Sequence, residues 1–237
     1  MENEYKLDVK INSFDADALK RLTISGQLRY QQEVGDRAIN RFGATYEKMA
    51  EAGMFFVLIK TSSKIYRHPK LSESCILKTW HQGINGVRFI RRYNFIGLDG
   101  EPLIDSVTVF ALIDNNRQIL RPKEFDKFNL PPPSESENGA EIPKKIVINE
   151  NLPSNTIQKT VHFSDLDYNM HMNNTIYGNV IMDALPKSHA EKDIDSFAIE
   201  FKKEAIFGDN FEAIAYYNEK TAYIKGGERF SAKINFL

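Results

Sequence analysis

The sequence predicts an α+β fold in which two antiparallel sheets each wrap around one long helix. Three observations support this fold. Segments rich in β-branched and aromatic residues are separated by turn residues, two further segments carry apolar residues at helical spacing, and the order of elements in the first half recurs in the second. The recurrence has an offset of roughly 150 residues, about one domain's length. We therefore expect two copies of one unit.

Composition excludes several classes of protein. The chain has 237 residues, of which 42% are hydrophobic, and this is enough for a sizeable core. Its 31 Lys and Arg nearly balance its 32 Asp and Glu, so we expect neither nucleic acid nor a membrane surface as partner. No stretch approaches about 18 consecutive apolar residues. The single cysteine, Cys75, and a start with neither a basic cluster nor an apolar run predict a cytoplasmic protein.

The first half begins with strict alternation over residues 5–11, which predicts a half-buried strand. After a short loop, apolar residues recur every three or four positions over residues 23–42, with Gly43 as the stop, and predict a long helix. Asp99-Gly100 suits a tight hairpin turn, so the strands should be antiparallel neighbours. These strands are predicted at 54–60, 63–66, 74–81, 86–97 and 102–114.

A proline-rich, aperiodic segment then predicts a linker between two domains. After it, a short strand, a polar loop and a helix from Asn174 match the order of the first half, and the helix must stop at Pro186. Further strands are predicted at 157–163, 196–205, 211–217, 221–225 and 228–236. The predicted division is an N-terminal domain at 1–125, a linker at 126–155 and a C-terminal domain at 156–237.

The polar loop is the main candidate site. Asp167, Asn169 and His171 come just before the second helix, and the first copy has no Asn or His beside its corresponding aspartates. Free N–H groups at a helix start, at the positive end of its dipole, suit a polarised carbonyl or a developing negative charge. The sequence therefore predicts one functional site, and it lies in the second copy.

The motif D-L-D-Y-N-M-H-M-N-N-T-I-Y (165–177) resembles the D-x-N-x-H-x-N-N-x-x-Y signature of the acyl-acyl-carrier-protein (acyl-ACP) thioesterases of bacteria and plants. Similar stretches are L-R-Y-Q-Q-E-V (28–34), I-Y-R-H-P (65–69), K-T-W (78–80) and I-E-F-K-K-E (199–204). The resemblance implies a double hotdog fold and hydrolysis of fatty acyl-ACP thioesters in fatty acid biosynthesis. It also implies a partner, acyl carrier protein bearing a fatty acyl-phosphopantetheine, and no metal or bound cofactor.

The resemblance also implies the catalytic residues. Asp167, Asn169 and His171 fall on the family's catalytic loop, and Glu204 falls on its glutamate in the following strand. Many plant members have a cysteine after that glutamate, but this chain has Ala205, which favours water activated by Glu204. Direct attack by Asp167 on the thioester is the competing version.

Other interpretations remain open. Strand alternation alone would place Glu204 on a solvated face with Glu200 and Lys202. A calcium loop starting at Asp165 would lack the expected Gly and Glu, and His162 would have to join the loop residues to bind a transition metal. The alternative functions are a hotdog hydratase or dehydratase and a non-catalytic acyl-binding module.

Tandem duplication slightly favours a monomer over a homodimer. Two groups of basic residues are candidates for docking the carrier protein. One group is Lys64, Arg67 and Lys70, and the other is Arg88, Arg91 and Arg92.

Overall fold

The computed structural model describes residues 3–237, which fold around one ten-stranded antiparallel sheet with strand order β1-β3-β4-β5-β2-β7-β10-β9-β8-β6. The first half supplies β1 Glu4–Lys10, β2 Met54–Ile65, β3 Ser74–Asn85, β4 Arg88–Gly97 and β5 Pro102–Asp114. The second half supplies β6 Ser154–Thr160, β7 Ile194–Phe201, β8 Asn210–Tyr217, β9 Thr221–Gly226 and β10 Phe230–Phe236.

The two predicted sheets join edge to edge through β2 and β7. The register runs from Lys60 opposite Glu200 to Lys64 opposite Ser196, and the first pair forms a salt bridge of 3.0 Å. Each half keeps its own strand order on its side of this seam, so the α+β prediction of two antiparallel units is confirmed. Joining them removes one exposed edge from each sheet.

The prediction of two strands at 54–60 and 63–66 is wrong, because β2 is continuous. Polar residues interrupt its alternation, but they are buried and paired with other parts of the fold. Thr61 donates to the Val107 carbonyl at 3.3 Å, and Ser62 donates to the Glu141 carbonyl. A bulge between Leu58 and Lys60 keeps the strand in register with β5.

The helices are α1 Ile24–Asn40, α2 Tyr46–Glu51, α3 Ile176–Asp183 and α4 Lys187–Ala190. Helix α1 begins where the sequence predicts, because the Thr23 side chain caps it by accepting from the Gly26 N–H at 2.9 Å. Helix α3 has only 8 residues and starts after Asn174. The helix starts later than predicted because the Asn173 side chain accepts from the Thr175 N–H at 2.9 Å and stabilises a separate turn before it.

The main core contains residues from both halves, and α1 and α3 cross within it. Gly178 lies at the crossing, where an added Cβ would be 2.6 Å from the Ser25 amide nitrogen. A second apolar cluster belongs to the first half; it includes Met49, Met54, Phe89, Leu112, Phe125 and Phe128. In the described range 3–237, no helix is long and apolar enough to cross a bilayer.

The predicted linker is partly docked on the outer face of the first sheet. Trp80 Nε1 donates to the Ser136 carbonyl at 2.9 Å, and Arg92 Nη1 donates to Asn138 Oδ1 and to the Ala140 carbonyl, both at 2.7 Å. Arg92 is only 3% exposed. The hydrogen-bonded linker therefore spans a defined path, and Arg92 is not available for docking a partner.

Two of the other basic candidates, Lys64 and Arg67, also form salt bridges within the fold. Lys64 forms a salt bridge with Asp195, and Arg67 forms one with Glu73 at 2.8 Å. These pairs hold loops and strand ends of the fold, so they weaken the prediction that this group meets an acidic carrier.

Candidate active site

The loop that contains Asp167 is organised by that carboxylate. Its Oδ1 accepts from the backbone N–H groups of Asn169 at 2.8 Å and His171 at 3.3 Å. The Asp167 N–H donates to the His171 carbonyl at 2.8 Å, and Met170 adopts the left-handed conformation with φ 62°. Because one carboxylate oxygen pairs two amides of a tight loop, Asp167 fixes the positions of the two residues that follow it.

The first half repeats this loop almost bond for bond at an offset of about 150 residues. Asp17 Oδ1 accepts from the N–H groups of Leu19 at 2.9 Å and Arg21 at 2.8 Å, and Lys20 has φ 61°. Leu19 and Arg21 stand at the positions that correspond to Asn169 and His171. The aspartate at this position is therefore explained by the loop geometry alone, in both halves.

The two loops carry different side chains at one pair of equivalent positions, Arg21 and His171. Arg21 in the first loop turns into the protein and donates to carbonyl groups of residues 190–192. His171 in the second loop instead reaches the cavity described below, and its side chain is 27% exposed. One copy of the loop thus serves structure and the other presents a titratable group.

Glu204 does not lie in a strand, so the predicted strand at 196–205 is too long. Strand β7 ends at Phe201, and the following segment is pulled across to the loop by the bond from the Met172 N–H to the Ala205 carbonyl, at 2.7 Å. This places Glu204 Oε2 3.7 Å from His171 Nε2. The solvated-face alternative from simple alternation is wrong, because alternation has already ended at this residue.

Asn169 and Tyr46 connect the loop to the first half. The Tyr46 hydroxyl donates to Asn169 Oδ1 at 3.2 Å, and the rings of Tyr46 and Tyr168 meet edge to face with centroids 4.6 Å apart. Helix α2, which carries Tyr46, was not predicted. Asp167, Asn169, His171 and Glu204 all line one cavity, so the structure brings the four predicted residues together.

This cavity has a volume of ≈ 1170 Å³ and extends from the loop into the first half. Apolar side chains form much of its wall, among them Ile39, Met49, Met54, Phe56, Phe89 and Phe110. A cavity that combines apolar walls with titratable groups can bind a long apolar chain while presenting its polar end for reaction.

Arg117 was missed by the sequence analysis. It lies in the turn after β5, has φ 61°, and forms a salt bridge with Glu204 Oε2. The Arg229 side chain donates to the Glu204 carbonyl and also binds Asp209 at 2.7 Å. Glu204 is thus held from both sides. An exposed arginine in a surface turn carries no local pattern that distinguishes it from other surface charges.

Asn174 lines this cavity two residues before α3 begins, and its backbone N–H donates to no protein group within residues 3–237. An unused backbone donor in the cavity lining suits an oxyanion site. Over the same described range, no three His, Cys, Asp or Glu side chains are placed to bind a metal ion. Asp165 instead forms a salt bridge with Lys159 at 2.6 Å.

Burial also shifts the pKa values of titratable groups away from the loop, two of which, Asp36 and His81, line the cavity. Loss of hydration, with the nearby Glu33 charge, raises the pKa of Asp36 to about 6 against the opposing effect of Arg91. Burial and Arg91 lower the pKa of His81 to about 4. Burial raises the pKa of the Cys75 thiol to about 12, so the chain's single cysteine is not a nucleophile.

Comparison with known families decides what this arrangement is. Residues 2–124 match the profile of the acyl-ACP thioesterase N-terminal domain, and residues 149–233 match that of the acyl-ACP thioesterase C-terminal domain. The chain belongs to the acyl-ACP thioesterase family. The resemblance seen in the motif at residues 165–177 is therefore confirmed.

Relatives of known structure share the acyl-ACP thioesterase fold over the whole chain. An acyl-ACP thioesterase from Bacteroides thetaiotaomicron has a TM-score of 0.82 and 21% identity, covering 99% of this chain and 98% of its own. A 12:0-ACP thioesterase from Umbellularia californica has a TM-score of 0.86 and 18% identity, covering 100% of this chain and 98% of its own. These likenesses establish the double hotdog fold.

One curated relative is the chloroplastic dodecanoyl-[acyl-carrier-protein] hydrolase of Cinnamomum camphora. It is 28% identical over 175 residues, which cover 69% of this chain but only 44% of the relative. The chain thus spans less than half the length of that relative.

Proposed function

We propose that this protein hydrolyses the thioester of a fatty acyl-ACP and releases the free fatty acid. The observation that carries this proposal is that Glu204 and His171 line the same cavity of ≈ 1170 Å³, much of whose wall is apolar, with Glu204 Oε2 and His171 Nε2 3.7 Å apart. Membership of the acyl-ACP thioesterase family supports the same reaction. The partner is then acyl carrier protein bearing a fatty acyl-phosphopantetheine, and the cytoplasm stays the predicted location.

Glu204 is the proposed general base. It takes a proton from a water molecule as the water oxygen attacks the thioester carbonyl carbon. The carbonyl oxygen becomes an oxyanion, and the proposed donor to it is the unused backbone N–H of Asn174. When the C–S bond breaks, the proton passes to the departing sulfur, so water and thioester give a carboxylic acid and the phosphopantetheine thiol. His171 lies close enough to Glu204 to orient the water and carry this proton.

Asn169 and Asp167 have positioning roles in this proposal. Asn169 Oδ1 already accepts from Tyr46, so its amide NH₂ group remains free to orient the water or the substrate carbonyl. Asp167 Oδ1 is engaged by two backbone N–H groups, as Asp17 Oδ1 is in the first half. This favours a structural role for Asp167 over direct attack on the thioester.

The main test is thiol release from ACP and coenzyme A thioesters with acyl chains of roughly eight to eighteen carbons. Wild type should release thiol from ACP conjugates, and Glu204→Gln should lower kcat by about 10²–10⁴, the usual contribution of a general base. His171→Ala should also reduce kcat. Thermal unfolding of each variant controls for folding. Substantial activity in a folded Glu204→Gln protein would overturn the general-base role.

Asp167→Asn separates the two versions of the chemistry. The Asn oxygen still accepts from the two backbone amides, so a positioning role predicts a loss of activity within about tenfold. A nucleophile cannot be replaced in this way, and its loss would reduce kcat by several orders of magnitude. Thermal unfolding of Asp167→Asn beside wild type is the control for effects on folding.

The same panel tests the alternative functions. Hydration of an enoyl thioester, or dehydration of a hydroxyacyl thioester, without thiol release would identify a hydratase or dehydratase. Binding of acylated carrier without any turnover would identify an acyl-binding module.

A further inference from the structure

One wall of the cavity is polar, although its other walls are suited to a hydrocarbon chain. This wall lies between α1 and the first-half sheet, some distance along the sequence from the catalytic loop. Its polar members are Gln31, Asp36, His81, Arg91, Tyr93 and Thr108. An apolar acyl chain gains nothing from polar groups and would cover them at a cost.

Gln31 is the most unusual member of this wall. It is 2% exposed, and neither its side-chain nitrogen nor its side-chain oxygen has a hydrogen-bond partner. One helical turn earlier, the buried Gln27 is paired, because its Nε2 donates to Ser63 at 2.7 Å and to Ser106 at 3.0 Å. Buried amides are nearly always paired, since an unpaired one keeps its full desolvation penalty. We therefore expect the Gln31 side chain to hydrogen-bond a ligand that enters the cavity.

Other hydrogen-bonding groups approach the same face of α1. Gly35 lies one turn after Gln31, and a Cβ added there would be 3.1 Å from the Tyr93 hydroxyl and 3.8 Å from Arg91 Cδ. The absence of a side chain at Gly35 lets both groups reach the helix backbone. Arg91 Nη1 donates to Thr79 at 3.3 Å, and this uses only one of the five N–H donors of a guanidinium. Donors and an amide are thus gathered at one place in the cavity wall.

We propose that Gln31, with Tyr93 and Arg91, forms a polar subsite that binds an oxygen substituent, a hydroxyl or oxo group, on the acyl chain. This inference rests on the proposed function, because it assigns the cavity to the acyl chain. A hydroxyl accepts from the Gln31 NH₂ group and donates to its oxygen, and so satisfies both unpaired atoms. An oxo group accepts from the NH₂ group or from Arg91.

The subsite predicts a preference that plain fatty acyl chains do not satisfy. Sites built to hydrogen-bond a substrate oxygen discriminate strongly against the analogue that lacks it, because the protein groups are then left unpaired. Wild type should favour an oxygen-bearing acyl chain over the unsubstituted chain of equal length by about tenfold or more in kcat/KM. Gln31→Leu should abolish that preference, because the leucine side chain can neither donate to nor accept from the oxygen substituent.

The experiment compares dodecanoyl-ACP with its β-hydroxy, β-oxo and mid-chain hydroxy derivatives in three proteins: wild type, Gln31→Leu and Gln32→Leu. Gln32 is the matched control: it is the next residue of α1 and lines the same cavity, but it is exposed, so water can pair with its amide group. The ratio of kcat/KM between substituted and plain substrates should fall by about tenfold only in Gln31→Leu. Calorimetric binding of the corresponding free acids to Glu204→Gln protein gives the same comparison without catalysis.

The outcomes separate this inference from the proposed function. Hydrolysis of plain dodecanoyl-ACP with no preference for any substituted chain, and equal effects of Gln31→Leu on all substrates, would overturn the subsite and leave the thioesterase intact. Absence of hydrolysis with every substrate would overturn the proposed function. In that case, tighter binding of a hydroxylated free acid, lost in a Gln31→Leu, Glu204→Gln double variant, would still support the subsite.

Discussion

Replacing Arg21 should weaken the connection between the two halves of the fold. Arg21 is 4% exposed, and its Nε donates to Asp17 at 2.9 Å. Its Nη1 donates to the Lys192 carbonyl at 2.8 Å and to Asp193 at 3.1 Å, and its Nη2 donates to the Ala190 carbonyl at 3.1 Å. The first-half loop is thereby fixed to the end of α4, where helix carbonyls lack partners within the helix.

The expected magnitude follows from what Arg21→Ala leaves behind. Removing one partner of a buried charged network costs about 3–5 kcal/mol, because groups that were paired lose their partner without regaining full hydration. The lower end of that range applies here, since the Asp193 side chain is 61% exposed and can rehydrate. For a chain of this size each kcal/mol lowers Tm by roughly 2–4 °C, so we expect a fall of about 6–12 °C.

Equilibrium urea unfolding measures this effect. The single tryptophan, Trp80, is buried in β3 and reports the first half by fluorescence, while far-ultraviolet circular dichroism reports the whole sheet. Arg37→Ala is the matched control: its side chain is 50% exposed, and solvent screens its pair with Glu33 within α1, so its loss should change stability little. Equal stability of the two variants would refute the assigned role of Arg21.

Three further changes test other parts of the structure. Burial lowers the pKa of His81 from 6.5 to about 4 in the folded protein. As pH falls from 6.5 to about 4, the unfolded chain binds a proton there that the folded protein does not, so the free energy of unfolding should fall. His81→Gln should flatten this pH dependence, and an unchanged profile would contradict the assignment. Arg117→Ala should lower kcat/KM about tenfold, because the Glu204 side chain would lose the salt bridge that holds its position. Tm should change little, because the Arg117 side chain is 66% exposed. Full activity would exclude a positioning role for Arg117. Gly178→Ala should lower the free energy of unfolding by about 1–3 kcal/mol, because the new Cβ would clash with the backbone of Ser25. Asn179→Ala, at the neighbouring exposed residue, should change it little. Equal denaturation midpoints for the two variants would contradict the close crossing of α1 and α3.

Local chemistry decided much of the fold, and these parts could be predicted. Strands and α1 follow from periodicities of two and 3.6, and the Thr23 cap and the Asp99-Gly100 turn set their ends. The loop at Asp167 also follows from local bonds, since the same aspartate builds the same loop at Asp17. The division at residues 1–125, 126–155 and 156–237 stays a proposal drawn from this pattern.

Tertiary contacts decided what the sequence alone could not. Glu204 reaches His171 only because a backbone bond from Met172 pulls the segment after β7 out of strand geometry, and no alternation pattern encodes that bond. Arg117 and Tyr46 come to the site from distant elements of the first half. Short-range pattern fixes which residues form each element, but a site assembled across two halves depends on contacts between residues far apart in the chain, and these exist only once the chain has packed.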